Sequence, residues 1–139
     1  MKRIVLDTNV VVSFLTDRNL QQQKIAERIF EQAAAGKVSL VLHQMVVTET
    51  VHVLRNLYRV SPQQTAASIR DLLGLPGVIA VDAMPWPRIF EIWPERIAGY
   101  ADAALAAILR AGDYDSLATF DGDFRRRLRR LGLSSSLEI

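Results

Sequence analysis

The sequence predicts an α/β domain built on a parallel sheet, and three observations carry that expectation. Short apolar, β-branched runs alternate with longer helical segments, the pattern of βαβ units joined by right-handed crossovers. Two of the runs, 4–6 and 116–120, end directly in aspartates, Asp7 and Asp121. In open sheets the ligand crevice lies outside the carboxyl ends of the strands, so such acids stand at its rim. The chain has 139 residues, half of them hydrophobic and 23% charged, which suits one domain with a sizeable core.

The first strand, 4–6, delivers Asp7, Thr8 and Asn9 to the edge of the sheet. Asp and Asn are also favoured helix N-caps, so capping is the competing reading of the same residues. Residues 10–15 read as a short helix and 17–19 as a loop. From 22 to 35 the composition is helical, with Ile25, Ile29, Phe30 and Ala33 in an apolar stripe and Gly36 as a C-cap. Residues 38–42 form a second buried strand. The helix expected over 44–58 carries Val46, Thr50, Val53, Leu54 and Leu57 on a broad apolar face. Glu49, His52, Asn56 and Arg59 follow at helical spacing on the opposite, polar stripe.

Ser61 then caps a helix with Pro62 in its first turn, running to about residue 73, where Gly74-Leu75-Pro76-Gly77 breaks it. Residues 78–81 give the third strand. The segment 83–100, with Trp86, Trp93 and three prolines, predicts a helix stopped before Pro94 and then a loop. Its tryptophans are expected in the core or at a subunit contact, with RNA stacking as the alternative. An alanine-rich helix over 100–109 has Asp102 at its beginning, where a carboxylate suits the helix dipole. The fourth strand, 116–120, runs into Asp121-Gly122-Asp123-Phe124 and a last helix over 124–131, and 137–139 are expected to add a short edge strand.

Composition narrows the function classes. The chain has no cysteine, which excludes a disulfide framework, a thiolate nucleophile and a cysteine-based zinc site. No apolar run reaches the ~18 residues of a membrane span, and the N-terminus lacks the apolar stretch of a signal peptide. A cytoplasmic location is therefore expected. The net charge of +2 hides an asymmetry, because five arginines crowd into residues 125–130. Without those five, 12 of the 17 basic residues remain against 15 acidic ones. A basic cluster beside an acidic site is what a metal-dependent enzyme acting on a polyanion needs; a solvated helix face is the alternative.

If strands one and four are neighbours, Asp7, Glu49, Asp102 and Asp121 converge on one crevice. Such carboxylates repel one another and raise their own pKa values. A hard divalent cation, Mg²⁺ or Mn²⁺, resolves the conflict and can serve phosphodiester hydrolysis. Glu49 and His52 also match half of a di-iron carboxylate motif, but that chemistry needs a second copy, and none is present.

The segments Asp7-Thr8-Asn9, Val47-Thr48-Glu49, Tyr100-Ala101-Asp102-Ala103 and Ala118-Thr119-Phe120-Asp121-Gly122-Asp123-Phe124 occur in the order and spacing of PIN-domain ribonucleases. Over its whole length the chain resembles the VapC-type toxins of toxin–antitoxin pairs. The resemblance implies a PIN-like three-layer α/β/α domain over 1–139, with a parallel sheet ordered 3-2-1-4-5. It further implies Mg²⁺- or Mn²⁺-dependent cleavage of RNA, inhibition by a small cognate antitoxin, and a homodimer. Carried over residue by residue, the acidic quartet is Asp7, Glu49, Asp102 and Asp121, with Asp123 as a further acid of the metal site. Asp7, Asp102 and Asp121 are then direct ligands, and Glu49 acts through water or on a second ion. Thr8, Asn9 and Thr119 support them. Arg125, Arg126, Arg127, Arg129 and Arg130 lie outside the diagnostic pattern and are separate candidates for RNA contacts.

Rival readings fare less well. A haloacid-dehalogenase-like phosphohydrolase wants a second aspartate at position 9, which is Asn9. A receiver-like domain wants paired acids after the first strand and a later lysine, whereas the lysines here are Lys2, Lys24 and Lys37. From another class, a non-catalytic binding module whose acids hold a structural cation remains the alternative.

Overall fold

Four strands, β1 (Lys2–Leu6), β2 (Val38–His43), β3 (Val78–Val81) and β4 (Ser116–Ala118), make one parallel sheet in the computed structural model, which describes residues 1–137. Their order is β3-β2-β1-β4. Ile4 of β1 pairs with Leu40 on one side and Ser116 on the other. The expected neighbourhood of strands one and four is therefore present. The fifth position of the expected 3-2-1-4-5 order holds a single parallel bridge between Leu117 and Ser135. There the Leu117 amide donates to Ser134 O at 3.1 Å and the Ser136 amide donates to Leu117 O at 3.2 Å. Of the edge strand expected over 137–139, Leu137 packs on the core, and Glu138 and Ile139 lie outside the described residues.

Helices cover both faces of the sheet, a PIN-like α/β/α architecture. α1 (Thr8–Leu15) and α2 (Leu20–Ala34) join β1 to β2; α3 (Gln44–His52) and α4 (Pro62–Leu73) join β2 to β3. Both crossovers step the same way along the sheet, so right-handedness places these four helices on one face. The next connection returns across the sheet to β4, which sends α5 (Trp86–Ile92) and α6 (Tyr100–Ala111) to the other face. Residues Ala103 to Leu109 of α6 are all buried, because its small alanines let the helix lie close against the strands. α7 (Gly122–Arg130) follows β4 and buries Phe124 and Leu128. Among the described residues, no helix is long and apolar enough to cross a membrane.

Several boundaries differ from expectation, each for a structural reason. α1 begins at Thr8, two residues early, because Asp7 caps it by accepting from the Thr8 amide at 2.7 Å. α7 begins at Gly122 because Asp121 accepts from the amides of Asp123 and Phe124. β4 stops at Ala118 because Thr119 and Phe120 turn to hydrogen-bond with Asp7 and Asn9. The helix expected over 44–58 loses α geometry after His52 and continues as a π turn, Val53–Leu57, closed by Tyr58 N donating to Val53 O at 3.1 Å. The wider turn takes Leu57 off the expected apolar face and leaves it 67% exposed.

One capping residue was not visible as such in the sequence. His43, 1% exposed at the end of β2, accepts the Met45 amide at Nδ1 (3.0 Å) and so caps α3. With Nδ1 accepting, Nε2 carries the proton and donates to Ala83 O at 2.9 Å. One imidazole thereby fixes the start of the helix that carries Glu49 and the chain leaving β3. His43→Ala should lower stability by about 2 kcal/mol, combining a lost cap with an orphaned carbonyl. Urea denaturation measures this, and an unchanged midpoint would show that neither bond contributes.

Candidate active site

The sheet's topology places a crevice where the strand order reverses, at the carboxyl ends of β1 and β4. Asp7 leaves β1 there and is 8% exposed. A buried carboxylate needs hydrogen-bond donors, and this one has three. Oδ1 accepts from the Thr8 amide at 2.7 Å; Oδ2 accepts from Thr119 Oγ1 at 2.7 Å and from Asn9 Nδ2 at 3.3 Å.

Thr119 is fully buried and works as the hub between the two strand ends. While donating to Asp7, its hydroxyl accepts from Asn9 Nδ2 at 3.0 Å and from the Asp121 amide at 3.1 Å. Asn9 Oδ1 accepts the Phe120 amide at 3.0 Å, so a backbone donor fixes the orientation of its side-chain amide. The Asp7 amide donates to Ala118 O at 3.0 Å, completing the seam. Asp121 then sits at the N-cap of α7, with Oδ1 accepting the Asp123 and Phe124 amides at 2.9 and 3.2 Å. At both strand ends the capping and site readings hold together, since each aspartate caps a helix through one oxygen.

Glu49 on α3 and Asp102 in the first turn of α6 face the same crevice. Burial pushes the Asp7 carboxyl above its ordinary value, against the hydrogen bonds of Thr119 and Thr8, and the charge of Asp121 adds to the rise. Burial raises Glu49 as well, helped by the charges of Asp7 and Asp102. Asp102 is pushed up to about 6 by burial and then by the charges of Asp7 and Asp121, while Arg127 opposes the rise. Each of the four acids of the expected quartet thus enters the electrostatic environment of at least one other. The Thr8 hydroxyl lies on the Glu49 side and favours that group's charged form.

The donor set is entirely hard oxygen, as Mg²⁺ or Mn²⁺ prefers. The carboxyl groups are spread around the crevice rather than drawn to one point: among the described residues, no three His, Asp or Glu side chains are grouped to hold one ion directly. That spacing fits a small cation that keeps several waters and takes one or two carboxylates directly. The raised pKa values of Asp7, Glu49 and Asp102 fit the same occupant.

The remaining expected residues divide. Asp123 is exposed and ion-paired with Arg126 on the next turn. The guanidinium ends of Arg125 and Arg126 fold back over Gly122, 3.8 and 3.7 Å from where its Cβ would stand. Together with Arg127 near Asp102, they form a cationic border on the crevice, whereas Arg129 and Arg130 are exposed in the last turn of α7. His52 accepts a contact from Asn56 Nδ2 at 2.9 Å and is exposed.

Strand order and acid placement together define a class of protein, the parallel α/β domain with a carboxylate-lined crevice at its topological switch point. The family model for the PIN domain matches residues 4–128, and the chain belongs to the PIN domain family. Its fold is similar to VapC20 of Mycobacterium tuberculosis, a sarcin–ricin loop cleaving toxin, with TM-score 0.68, 19% identity, and 94% and 95% of the two chains covered. It is also similar to VapBC2 of Rickettsia felis, solved bound to a DNA fragment from its promoter, with TM-score 0.73, 17% identity, and 96% and 97% covered. The PIN domain endonuclease Utp24 shares the fold at TM-score 0.55 and 18% identity, with 93% and 78% covered. No curated protein sequence matches significantly.

Two consequences can be measured. Thr119→Val removes the donor to Asp7 and the acceptor for Asn9 and Asp121, and should cost about 2–3 kcal/mol by chemical denaturation; an unchanged midpoint would remove Thr119 as the hub. A raised carboxyl pKa means that the folded state holds its proton more tightly than the unfolded chain. The contribution of Asp102 is therefore most favourable below its ordinary value of 3.8 and is lost as pH rises through about 6. Asp102→Asn should accordingly raise the Tm at pH 7 in EDTA by a few degrees, with no such gain at pH 4. A lower Tm at pH 7 would mean that burial and repulsion do not strain this group.

Proposed function

We propose that the protein is a metal-dependent endoribonuclease, one nuclease domain acting in the cytoplasm as the toxin of a type II toxin–antitoxin pair. The observation that carries this reading is the ring of Asp7, Glu49, Asp102 and Asp121 around one crevice, three of them held above their ordinary pKa values by burial and by one another. Membership of the PIN domain family supports it.

Asp7, Asp102 and Asp121 are the residues to hold Mg²⁺ or Mn²⁺, one or two of them directly and the rest through its waters, with Glu49 acting through water or on a second ion. When bound, the cation supplies water activation and stabilisation of the leaving oxygen. The chain's own residues do the rest. Thr119, Asn9 and the Thr8 amide keep Asp7 in a single orientation, so no side-chain reorganisation is needed at the reacting centre. Asp102, with its pKa near 6, releases its proton as the site fills, so cation affinity rises with pH. Asp123 adds negative charge at the border while holding Arg126 by an ion pair. Arg125, Arg126 and Arg127 receive the RNA phosphates next to the scissile bond; Arg129 and Arg130 add general attraction. A small antitoxin is the proposed protein partner. The apolar groove between α3 and α4, lined by Val51, Ala66, Ile69 and Leu73 and bordered by Arg55 and Arg70, supports a partner with an amphipathic, acidic helix. A second copy of the chain completes the proposed assembly.

The test is cleavage of total cellular RNA, and of an isolated sarcin–ricin-type hairpin, with Mg²⁺, Mn²⁺ or EDTA. Wild type should give discrete fragments that EDTA abolishes. Asn at position 7 can still cap α1 but its Nδ2 cannot accept from Thr119 and Asn9, so Asp7→Asn should fold with a lowered Tm and lose about 10³-fold or more in rate. Full activity of that variant, or EDTA-resistant cutting, would overturn the reading. Arg125→Gln with Arg126→Gln should weaken RNA binding and flatten its salt dependence more than the pair Arg129→Gln with Arg130→Gln. Equal effects would mean that the border arginines have no special place.

A further inference from the structure

β3 is a free edge of the sheet, with β2 on one side and no strand on the other, at the opposite end of the strand order from β4. The Leu40 amide donates to Gly77 O at 2.7 Å, and Leu40 and Leu42 stand opposite Val78 and Ala80. In a parallel ladder of that register the backbone groups of Ile79 and Val81 turn to β2. Ala80 N–H, Ala80 C=O and Val78 C=O therefore point outward, while the Val78 amide is occupied, donating to Leu75 O at 3.3 Å. Edge strands ordinarily carry a charge or a proline that discourages further pairing. Val78-Ile79-Ala80-Val81 has neither, and Ile79 is 44% exposed. Trp86 on α5 is exposed to a similar degree, 48%, so the sequence-based expectation of Trp86 in the core is not met.

A cavity lies on each face of this edge. The one on the α6 face, about 140 Å³, is lined by His43, Val81, Ile108 and Tyr114. The one on the α3–α4 face, about 240 Å³, is lined by Leu42, Val47, Leu73 and Ala80, with Gln44 and Asp82 as its polar members. The register agrees with this sorting, since Leu42 pairs with Ala80 and His43 with Val81. Successive residues of a strand point to opposite faces, so a strand laid on β3 sends its side chains to the two cavities in turn. We propose that β3 receives an extended peptide segment of a partner protein, aliphatic on the α6 face and basic on the α3–α4 face. Main-chain hydrogen bonds give such a strand its affinity and the two cavities its selectivity. Asp82 sets the charge, being exposed and without a hydrogen bond or ion pair among the described residues. A second copy does not match: its own edge, Val78 to Val81 followed by another Asp82, offers no cation to that face.

The probe is a fluorescein-labelled peptide of alternating valine and lysine. Its controls are an alternating valine–glutamate peptide and a valine–lysine peptide N-methylated at every second residue, which cannot complete the ladder. Anisotropy measures binding to the full chain, and amide hydrogen exchange followed by NMR locates it. Saturable binding of the valine–lysine peptide is expected, with slowed exchange at the Ala80 amide. The methylated peptide should bind about tenfold more weakly, and the valine–glutamate peptide should not saturate. Asp82→Asn should weaken binding about two- to fivefold and reduce its salt dependence. Ala80→Pro removes the outward N–H and leaves the β2 ladder intact, a change that edge strands accept, and should abolish binding; if that variant does not fold, the methylated peptide makes the same test. Any of four results overturns the proposal: no saturable binding, equal binding of either control, exchange slowed in α4 and not at Ala80, or protection of Ala80 that rises with protein concentration alone, the mark of a second copy. RNA cleavage is not the readout, so the outcome stands whichever way the nuclease reading falls.

Discussion

The buried carboxylate of Asp7 is the constraint around which the rest of the molecule is arranged. An ionised group with so little exposure survives only if fixed donors replace water, and those donors come from two places far apart in the chain: Thr8 and Asn9 beside it, and Thr119 more than a hundred residues later. Meeting that requirement forces β4 to lie against β1, shortens β4 by two residues and brings Asp121 to the same rim. The strand seam and the Asp7 and Asp121 side of the candidate site are therefore one hydrogen-bonded unit. Residues that look catalytic from their charge are also structural, and Thr119, which carries no charge, holds the unit together.

The same arrangement stores electrostatic cost. Three carboxyl groups lie above their ordinary pKa values because burial and neighbouring charge both disfavour ionisation. A protein selected for stability alone would not collect acids in this way. Perturbed carboxyl groups gathered in a cleft are a physical signature of function, and the cation proposed above would relieve the cost. Arg127 offsets part of it from the opposite direction. Arg125, Arg126 and Arg127 set positive charge at the edge of the same acids.

Much of the fold was legible in local pattern. The four strands and the helices of 20–34, 62–73 and 100–111 came from apolar runs, alanine content and Ser-Pro or Gly punctuation, all short-range signals. The boundaries that departed from expectation have different causes: Asp7 and Asp121 cap amides one to three residues on and start two helices early, Thr119 and Phe120 leave β4 to reach Asp7 and Asn9 across the sheet, and a π turn moves Leu57 into solvent. His43 went unread as a cap because histidine is not a typical N-cap residue, and its second bond, to Ala83, crosses between strands.

The sequence by itself determined the alternation of strands and helices and the acids that end strands or open helices, because periodicity and residue type act over a few neighbours. From these follow the fold class and the family. Only the tertiary structure decided how those acids share charge, which of the five arginines border the crevice, and that Trp86, Phe90, Trp93 and Tyr100 meet in one surface. Those outcomes depend on distances between elements remote in the chain. They are set by packing and by the need to satisfy a buried charge, and no local pattern encodes them.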